Sequence, residues 1–183
     1  MIQSIHGKNI AFIGGGNFCK SFLQLLEDDI FADLAVTVIG IADIDGDAVG
    51  LRFAQTRGIP TTRSHEDLFN LNDLHLLIEI TRDDELPRRL EKQLPQTITL
   101  VDHFQAVPLW NALQIEAAKR RTLTNLALAD NTPDQIRSHF LQFSDHLETI
   151  INQRIEHTLN IERNLVEREK AISHIIEGST CLL

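Results

Sequence analysis

Asn9-Ile-Ala-Phe-Ile-Gly-Gly-Gly-Asn-Phe-Cys19 decides the reading of this chain. A short apolar run breaks into three glycines and passes at once into a helical pattern. A strand ending at Gly14 and a helix starting near Asn17 aim unpaired backbone N–H groups and the positive end of a helix dipole at one point. A pyrophosphate fits there, so the stretch reads as the opening of a dinucleotide-binding domain. Gly14 permits the sharp turn out of the strand, and Gly16 lets the backbone approach a phosphate with no Cβ in the way. Gly15, Asn17 and Phe18 complete the loop and join them as cofactor-binding candidates. The third small residue of the G-x-G-x-x-G fingerprint is replaced by Cys19, which is larger than glycine or alanine and leaves less room for close helix–strand packing.

Ala35-Val-Thr-Val-Ile-Gly-Ile-Ala-Asp43 reads as a second buried strand with an acid at its C-terminal tip. Such an acid holds the adenosine ribose hydroxyls in dinucleotide-binding domains, so Asp43 is the first candidate, Asp45 the second, and Ile44 an adjoining contact. The Asp43, Asp45, Asp47 cluster would repel a ribose 2′-phosphate, which favours NAD or another adenine nucleotide over NADP. The competing reading is that all three are turn residues, with Asp45-Gly46 a turn dipeptide and one acid capping the next helix.

At 183 residues the chain holds one good core, or one domain with an appendage. Its 17 basic and 26 acidic residues give a formal net charge of −9, which argues against nonspecific nucleic-acid binding and against docking on an anionic membrane. Two distant cysteines, Cys19 and Cys181, fit a reducing compartment rather than a disulfide framework. No apolar stretch reaches the length of a membrane span and no signal peptide opens the chain, so the expected location is cytoplasmic.

Helical and extended segments then alternate. Gly46 to Arg57 reads as a helix stopped by Gly58, Ile59-Pro60-Thr61 as a short extended piece, His65 to Leu71 as a short helix and Leu74 to Ile80 as a strand. Asp83 to Leu94 reads as a helix and Thr97 to Val101 as a strand. Ala106 to Arg121 reads as a helix with Pro108 in its first turn and the Lys119-Arg120-Arg121 cluster at its C-terminus. This order predicts an α/β, Rossmann-like, mainly parallel sheet over residues 1–130, with ligands at the carboxyl ends of the strands. Thr81 and Arg82 fall at such an end, Thr81 lining the groove and Arg82 reaching a phosphate or pairing with Asp83 or Asp84. Asp102 and His103 fall at another. His6, His65 and His75 show no metal-ligand spacing and read as surface or core residues. Cys19 reads as buried packing rather than a redox sensor. No catalytic residue or metal site is assigned.

From about Thr132 the texture changes to one long helix over residues 131–178. Ile136, Phe140, Phe143, Leu147 and Ile151 begin an apolar stripe that continues through Ile155, Thr158 or Leu159, Ile161, Leu165, Ile172 and Ile176 with drift between faces. With no second helix after it, the stripe would be exposed in a monomer, and pairing with another copy as a coiled coil is the expected remedy. Folding back onto the sheet domain is the alternative.

Val38-Ile-Gly-Ile-Ala-Asp-Ile-Asp45, Arg57-Gly-Ile-Pro60 and Leu77-Ile-Glu-Ile-Thr81 make the first 125 or so residues resemble the nucleotide-binding domain of homoserine dehydrogenases and glucose-fructose-oxidoreductase-like enzymes. Asn164-Leu-Val-Glu-Arg-Glu-Lys-Ala-Ile-Ser-His-Ile-Ile-Glu-Gly-Ser179 is similar to the helix that leads into PAS domains of bacterial sensor histidine kinases. Residues 179–183, with Cys181-Leu-Leu183, would then be the start of a PAS domain. Together these parts resemble the N-terminal region of PAS-containing signalling proteins with a Rossmann-like input domain. The resemblance implies a cytoplasmic sensory module that binds a nucleotide, NAD(H) first, and relays its state through a dimeric helix to a downstream PAS or kinase module. The alternatives are a degenerate Rossmann domain serving dimerisation and a fragment of an NAD-dependent oxidoreductase. Sugar-oxidising members of the dehydrogenase group use a lysine in Glu-Lys-Pro, whereas here the corresponding region reads Leu100-Val-Asp-His-Phe104. That difference, and the long helix where a substrate domain would follow, weigh against hydride transfer.

Overall fold

The computed structural model describes residues 2–128 and 132–152. Five parallel strands form one sheet: β1 (Asn9–Ile13), β2 (Thr37–Ala42), β3 (Thr61–Thr62), β4 (Leu76–Glu79) and β5 (Thr99–Val101). Their spatial order is β3-β2-β1-β4-β5, the doubly wound, Rossmann-like arrangement in which the chain runs outward from β1 in one direction and then restarts on its other side. The helices are α1 (Asn17–Leu26), α2 (Val49–Thr56), α3 (Leu86–Gln93) and α4 (His103–Leu128), with 3₁₀ turns at Asp29–Leu34 and His65–Asn70.

Alternation along the strands builds two cores, because successive side chains point to opposite faces. Ile10, Phe12, Ile41, Leu76 and Ile78 pack on one side with Phe22 of α1, Leu51 of α2 and Leu109 and Leu113 of α4. Ala11, Ile13, Ala42 and Leu77 pack on the other with Leu68 of the 3₁₀ turn and Leu86 and Leu90 of α3. Each fully buried large side chain removes enough apolar surface from water to contribute about 2 kcal/mol. Phe12, Phe18, Phe22 and Trp110 form an aromatic run, with the Phe12 and Phe22 centroids 5.2 Å apart and those of Phe18 and Trp110 5.6 Å apart.

Several boundaries differ from the sequence expectation. The last helix of the sheet unit starts at His103, so Pro108 lies inside α4 rather than in its first turn. Asp102 explains the early start: its carboxylate accepts the Gln105 N–H at 2.8 Å, capping the helix. Nor does α4 stop at Arg121. Arg120 reaches Asp33 and the Ile30 carbonyl, the latter at 2.7 Å, and Arg121 pairs with Asp28, so the basic cluster clamps the Asp29–Leu34 turn instead of ending a helix. These guanidinium hydrogen bonds hold the Asp33 and Asp28 carboxyls below the usual carboxylate range. No acid caps α2, whose N-cap is Ala48.

The chain divides into two compact units, with the boundary between Arg121 and Thr122. In the second unit residues 133–152 are helical, and Ile136, Phe140 and Ile151 are exposed. The expected stripe beyond Asn152, the PAS-like motif and residues 179–183 lie outside the described residues.

Helix α2 docks end-on against the glycine loop. The Gly50 N–H donates to the Gly15 carbonyl at 2.6 Å and the Leu51 N–H to the same oxygen at 3.3 Å. A Cβ on Gly50 would lie 2.6 Å from that oxygen and 2.8 Å from the Gly16 carbonyl, so the contact requires glycine. Gly50→Ala is therefore expected to destabilise the fold by about 2 kcal/mol, the scale of an overpacked core. The exposed Gly58→Ala, where φ is +70° and no neighbour intrudes, should cost nearer 1 kcal/mol. Urea unfolding of both variants checks the order.

Candidate functional site

The C-terminal ends of β1, β2 and β4 open onto one cleft of about 590 Å³. Strand β1 passes into Gly14, whose φ of +108° turns the chain out of the sheet; a Cβ there would lie 3.1 Å from the Ile80 backbone. The Gly14 N–H still extends the ladder by donating to the Ala42 carbonyl at 2.8 Å. Gly16 then leads into α1, and a Cβ built on it meets nothing within 4 Å. Gly14 and Gly16 line the cleft, and Gly16 leaves open the space that a bound group would take.

The remaining candidates separate into two groups. Asp43, Ile44 and Thr81 line the cleft, with Ile44 89% exposed at its edge. Gly15, Asn17, Phe18 and Arg82 are not among its lining residues. Gly15 is buried, its N–H donating to the Asp43 carboxylate at 2.5 Å and its carbonyl occupied by α2. Asn17 is exposed, and Phe18 packs on Phe22 and Trp110. Arg82 is exposed with φ +68° and makes no ion pair among the described residues.

Both Asp43 oxygens face inward bonds: Oδ2 takes the Gly15 N–H, and Oδ1 takes the Asp45 N–H at 2.9 Å. The acid thus ties the end of β2 to the glycine loop. Asp45 in turn accepts the Asp47 N–H at 2.9 Å, so the acidic cluster is a ladder of Asx turns.

Among the lining residues that the sequence did not mark as site residues are the polar Arg63, His65, Asp83 and Arg89. Arg63 follows β3 and lies against Gly46, where a Cβ would come within 2.6 Å of its guanidinium. Arg89 projects from α3 and pairs with Asp83 at 2.7 Å. Their signal was topological: β3 pairs with β2 in parallel, which brings the residue after β3 beside the residue after β2.

Behind the cleft lies a buried carboxylate. Glu79, at the end of β4, is fully buried. Its Oε1 accepts both the N–H and the hydroxyl of Thr81, each at 2.6 Å. Its Oε2 lies 2.7 Å from Nδ1 of His103 and accepts the His103 N–H at 3.3 Å. Asp102 and His103 therefore serve the start of α4, and neither lines the cleft.

No group of residues able to hold a metal ion occurs among the described residues. Nor is any helix among them long and apolar enough to cross a membrane. The fold and the cleft together define a Rossmann-like domain with an open strand-end groove. No family model matches the chain, and no curated protein does. Among solved structures, the chain is similar to GenD2 from gentamicin A biosynthesis in complex with NAD, at 16% identity and a TM-score of 0.44. That match covers 63% of this chain and 33% of GenD2, so the chain spans about a third of that protein's length. It is also similar to SirC, a precorrin-2 dehydrogenase, at 10% identity and a TM-score of 0.37, covering 81% of this chain and 96% of SirC.

Cys19 is fully buried beneath the glycine loop, and burial, aided by the Asp43 charge, pushes its thiol up from 9.0 to about 12. Between these values the unfolded chain releases the proton while the folded chain keeps it. Stability is therefore present below about pH 9 and falls as pH rises toward 12, by up to about 1.4 kcal/mol per unit. Cys19→Ala is expected to flatten that alkaline slope, as measured by urea midpoints from pH 8 to 10. In a Cys181→Ser background, iodoacetamide should label native Cys19 no faster than the protein opens.

Proposed function

We propose that this chain is a nucleotide-responsive regulatory module. The observation that carries the proposal is the cleft itself, in which Gly14 and Gly16, Asp43 with Ile44, and Thr81 border one space at the ends of three adjacent strands. Exposed N–H groups at the start of α1 suit a pyrophosphate, and Ile44 suits the face of an adenine ring. Arg63 and Arg89 give the groove two cationic side chains beside the carboxylates of Asp43 and Asp83, and either could meet a phosphate. NAD or NADH is the favoured ligand. A specific observation supports a second reading, a domain that has given up nucleotide binding: the Gly15 N–H and both Asp43 oxygens are engaged within the protein.

Gly16→Val separates the two readings, because a Cβ at this position meets nothing within 4 Å and the added side chain would occupy the space left for the ligand. Calorimetry should give NAD or NADH a dissociation constant below about 100 μM in the wild type. The variant should bind at least about 30-fold more weakly, a loss of about 2 kcal/mol. Equal affinity in both proteins would place the ligand elsewhere. No binding up to millimolar nucleotide would favour the second reading.

The regulatory half of the proposal rests on residues 133–152, where Ile136, Phe140 and Ile151 are exposed at helical spacing, with Phe143 and Leu147 half-buried between them. A second copy of the same helix would cover this stripe, giving a homodimer that relays ligand state toward a PAS or kinase module in the cytoplasm. Sedimentation of the full chain should show a dimer. Phe140→Asp with Leu147→Asp should raise its dissociation constant at least about 100-fold, or about 2.7 kcal/mol. A wild-type monomer at 100 μM would overturn the pairing.

A further inference from the structure

The two oxygens of Glu79 serve different elements. Oε1 holds only the cleft loop, through the N–H and hydroxyl of Thr81 at 2.6 Å, and Oε2 holds only the first residue of α4, through the N–H and ring of His103. The contacts continue in both directions. On the cleft side, the Thr81 hydroxyl accepts the Asp83 N–H at 3.2 Å, and Asp83 holds Arg89 at 2.7 Å. The loop also reaches the helix directly, since Nε2 of His103 lies 3.4 Å from Asp84, the residue after Asp83. An unbroken polar chain thus runs from a cleft arginine, through a fully buried carboxylate, to the start of α4.

We infer that Glu79 couples the cleft to helix α4, so that an anionic group drawing Arg89 from Asp83 alters how the first turn of α4 is held. The inference deepens the regulatory reading above and rests on it for its biological use, though not for its physics. Arg89 orients Asp83, whose backbone N–H meets the Thr81 hydroxyl, so a shift of that loop reaches Oε1 through Thr81; a buried carboxylate has no water to replace a weakened partner, and the change alters the charge available to the donors on Oε2. A purely structural Glu79 would stabilise both elements without making one report on the other. Gln is the discriminating substitution. It keeps the shape, but its single carbonyl oxygen can serve Thr81 or His103 and its amide N–H₂ then opposes the donors of the other.

Amide exchange of His103, Gln105 and Ala106, followed by NMR in the full chain, reads the first turn of α4. Arg89→Ala, which touches none of these residues, should speed their exchange at least about threefold, while Arg82→Ala, exposed on the same loop and outside the polar chain, should leave it unchanged. In Glu79→Gln the three amides should already exchange fast, and adding Arg89→Ala should do nothing more. Arg89→Ala behaving like Arg82→Ala, or acting as strongly in Glu79→Gln as in the wild type, would overturn the coupling. Should Glu79→Gln not fold, Thr81→Val must speed exchange at His103 and Thr81→Ser, which keeps the hydroxyl, must not; equal rates in the two would also overturn it. Failure of NAD to bind, with the Arg89→Ala effect intact, would remove the nucleotide reading and leave the coupling standing. NAD binding without any Arg89→Ala effect would do the reverse.

Discussion

The Gly15 backbone is the joint on which the rest of the sheet unit depends. Its N–H is spent on Asp43 and its carbonyl on Gly50 and Leu51, so the two peptide groups that flank one residue fix the end of β2, the loop after β1 and the start of α2. Gly14 makes this possible by leaving the strand at φ +108°, a conformation that only glycine adopts at low cost. Gly50 makes it possible from the other side by bringing backbone against backbone. With these three elements locked, Gly16 is left as the exposed position of the loop, and the cleft inherits its shape from bonds that point away from it.

The elements that could be read from the sequence are those whose signal is local. The apolar runs of β1, β2 and β4, the stop at Gly58 and the restart after β3 all appear as patterns within about ten residues. Features that arise by bringing distant segments together were not visible. Arg63 and Arg89 reach the cleft because of strand order and the face α3 presents, and no spacing in the chain encodes that. The Arg120 and Arg121 clamp spans a gap in sequence far larger than a helix turn, so a basic cluster read locally suggested a helix end. The N-terminal difference in α4 has another cause: Pro108 suits a first turn, and Asp102 reads as a strand-end residue rather than as the cap that starts the helix earlier. Phe18 was placed by motif position, whereas its ring follows the aromatic packing around Trp110.

Glu79 shows how a functional acid hides in a strand. In Leu77-Ile-Glu-Ile-Thr81 it sits between two isoleucines, as an outward-facing residue would in a half-exposed strand. Its burial follows from position, since β4 lies between β1 and β5 and α4 begins directly beyond its end. A carboxylate in such a place persists only with donors on all sides, and Thr81 and His103 supply four. The residue pair Asp102-His103 was noticed as strand-end chemistry, yet its partners define it as helix-start chemistry. Strand end and helix start are one location in a doubly wound fold, and only the hydrogen bonds tell which element owns the residue.

The same reasoning bears on Asp43. An acid at this place reads from the motif as a ribose ligand, and its two inward bonds compete with that role. Each carboxylate oxygen has more than one acceptor direction, however, and a hydrogen bond to a charged acceptor contributes about 1.5–3 kcal/mol, a strong reason to orient the side chain and a weak one to exhaust it. Because Gly15 and Asp45 fix the carboxylate, a diol arriving from the cleft would meet an acceptor already held in place, with no rotamer entropy left to lose. The engaged acid is thus compatible with a ligand that adds to these bonds and incompatible with one that must replace them. A 2′-phosphate belongs to the second kind at Asp43 itself, and the cationic residues that line the cleft are Arg63, held against Gly46 of the acidic turn, and Arg89, paired with Asp83. Under the nucleotide reading proposed above, the balance between Arg63 and the Asp43 to Asp47 ladder, not the glycine loop, would set which nucleotide the cleft accepts.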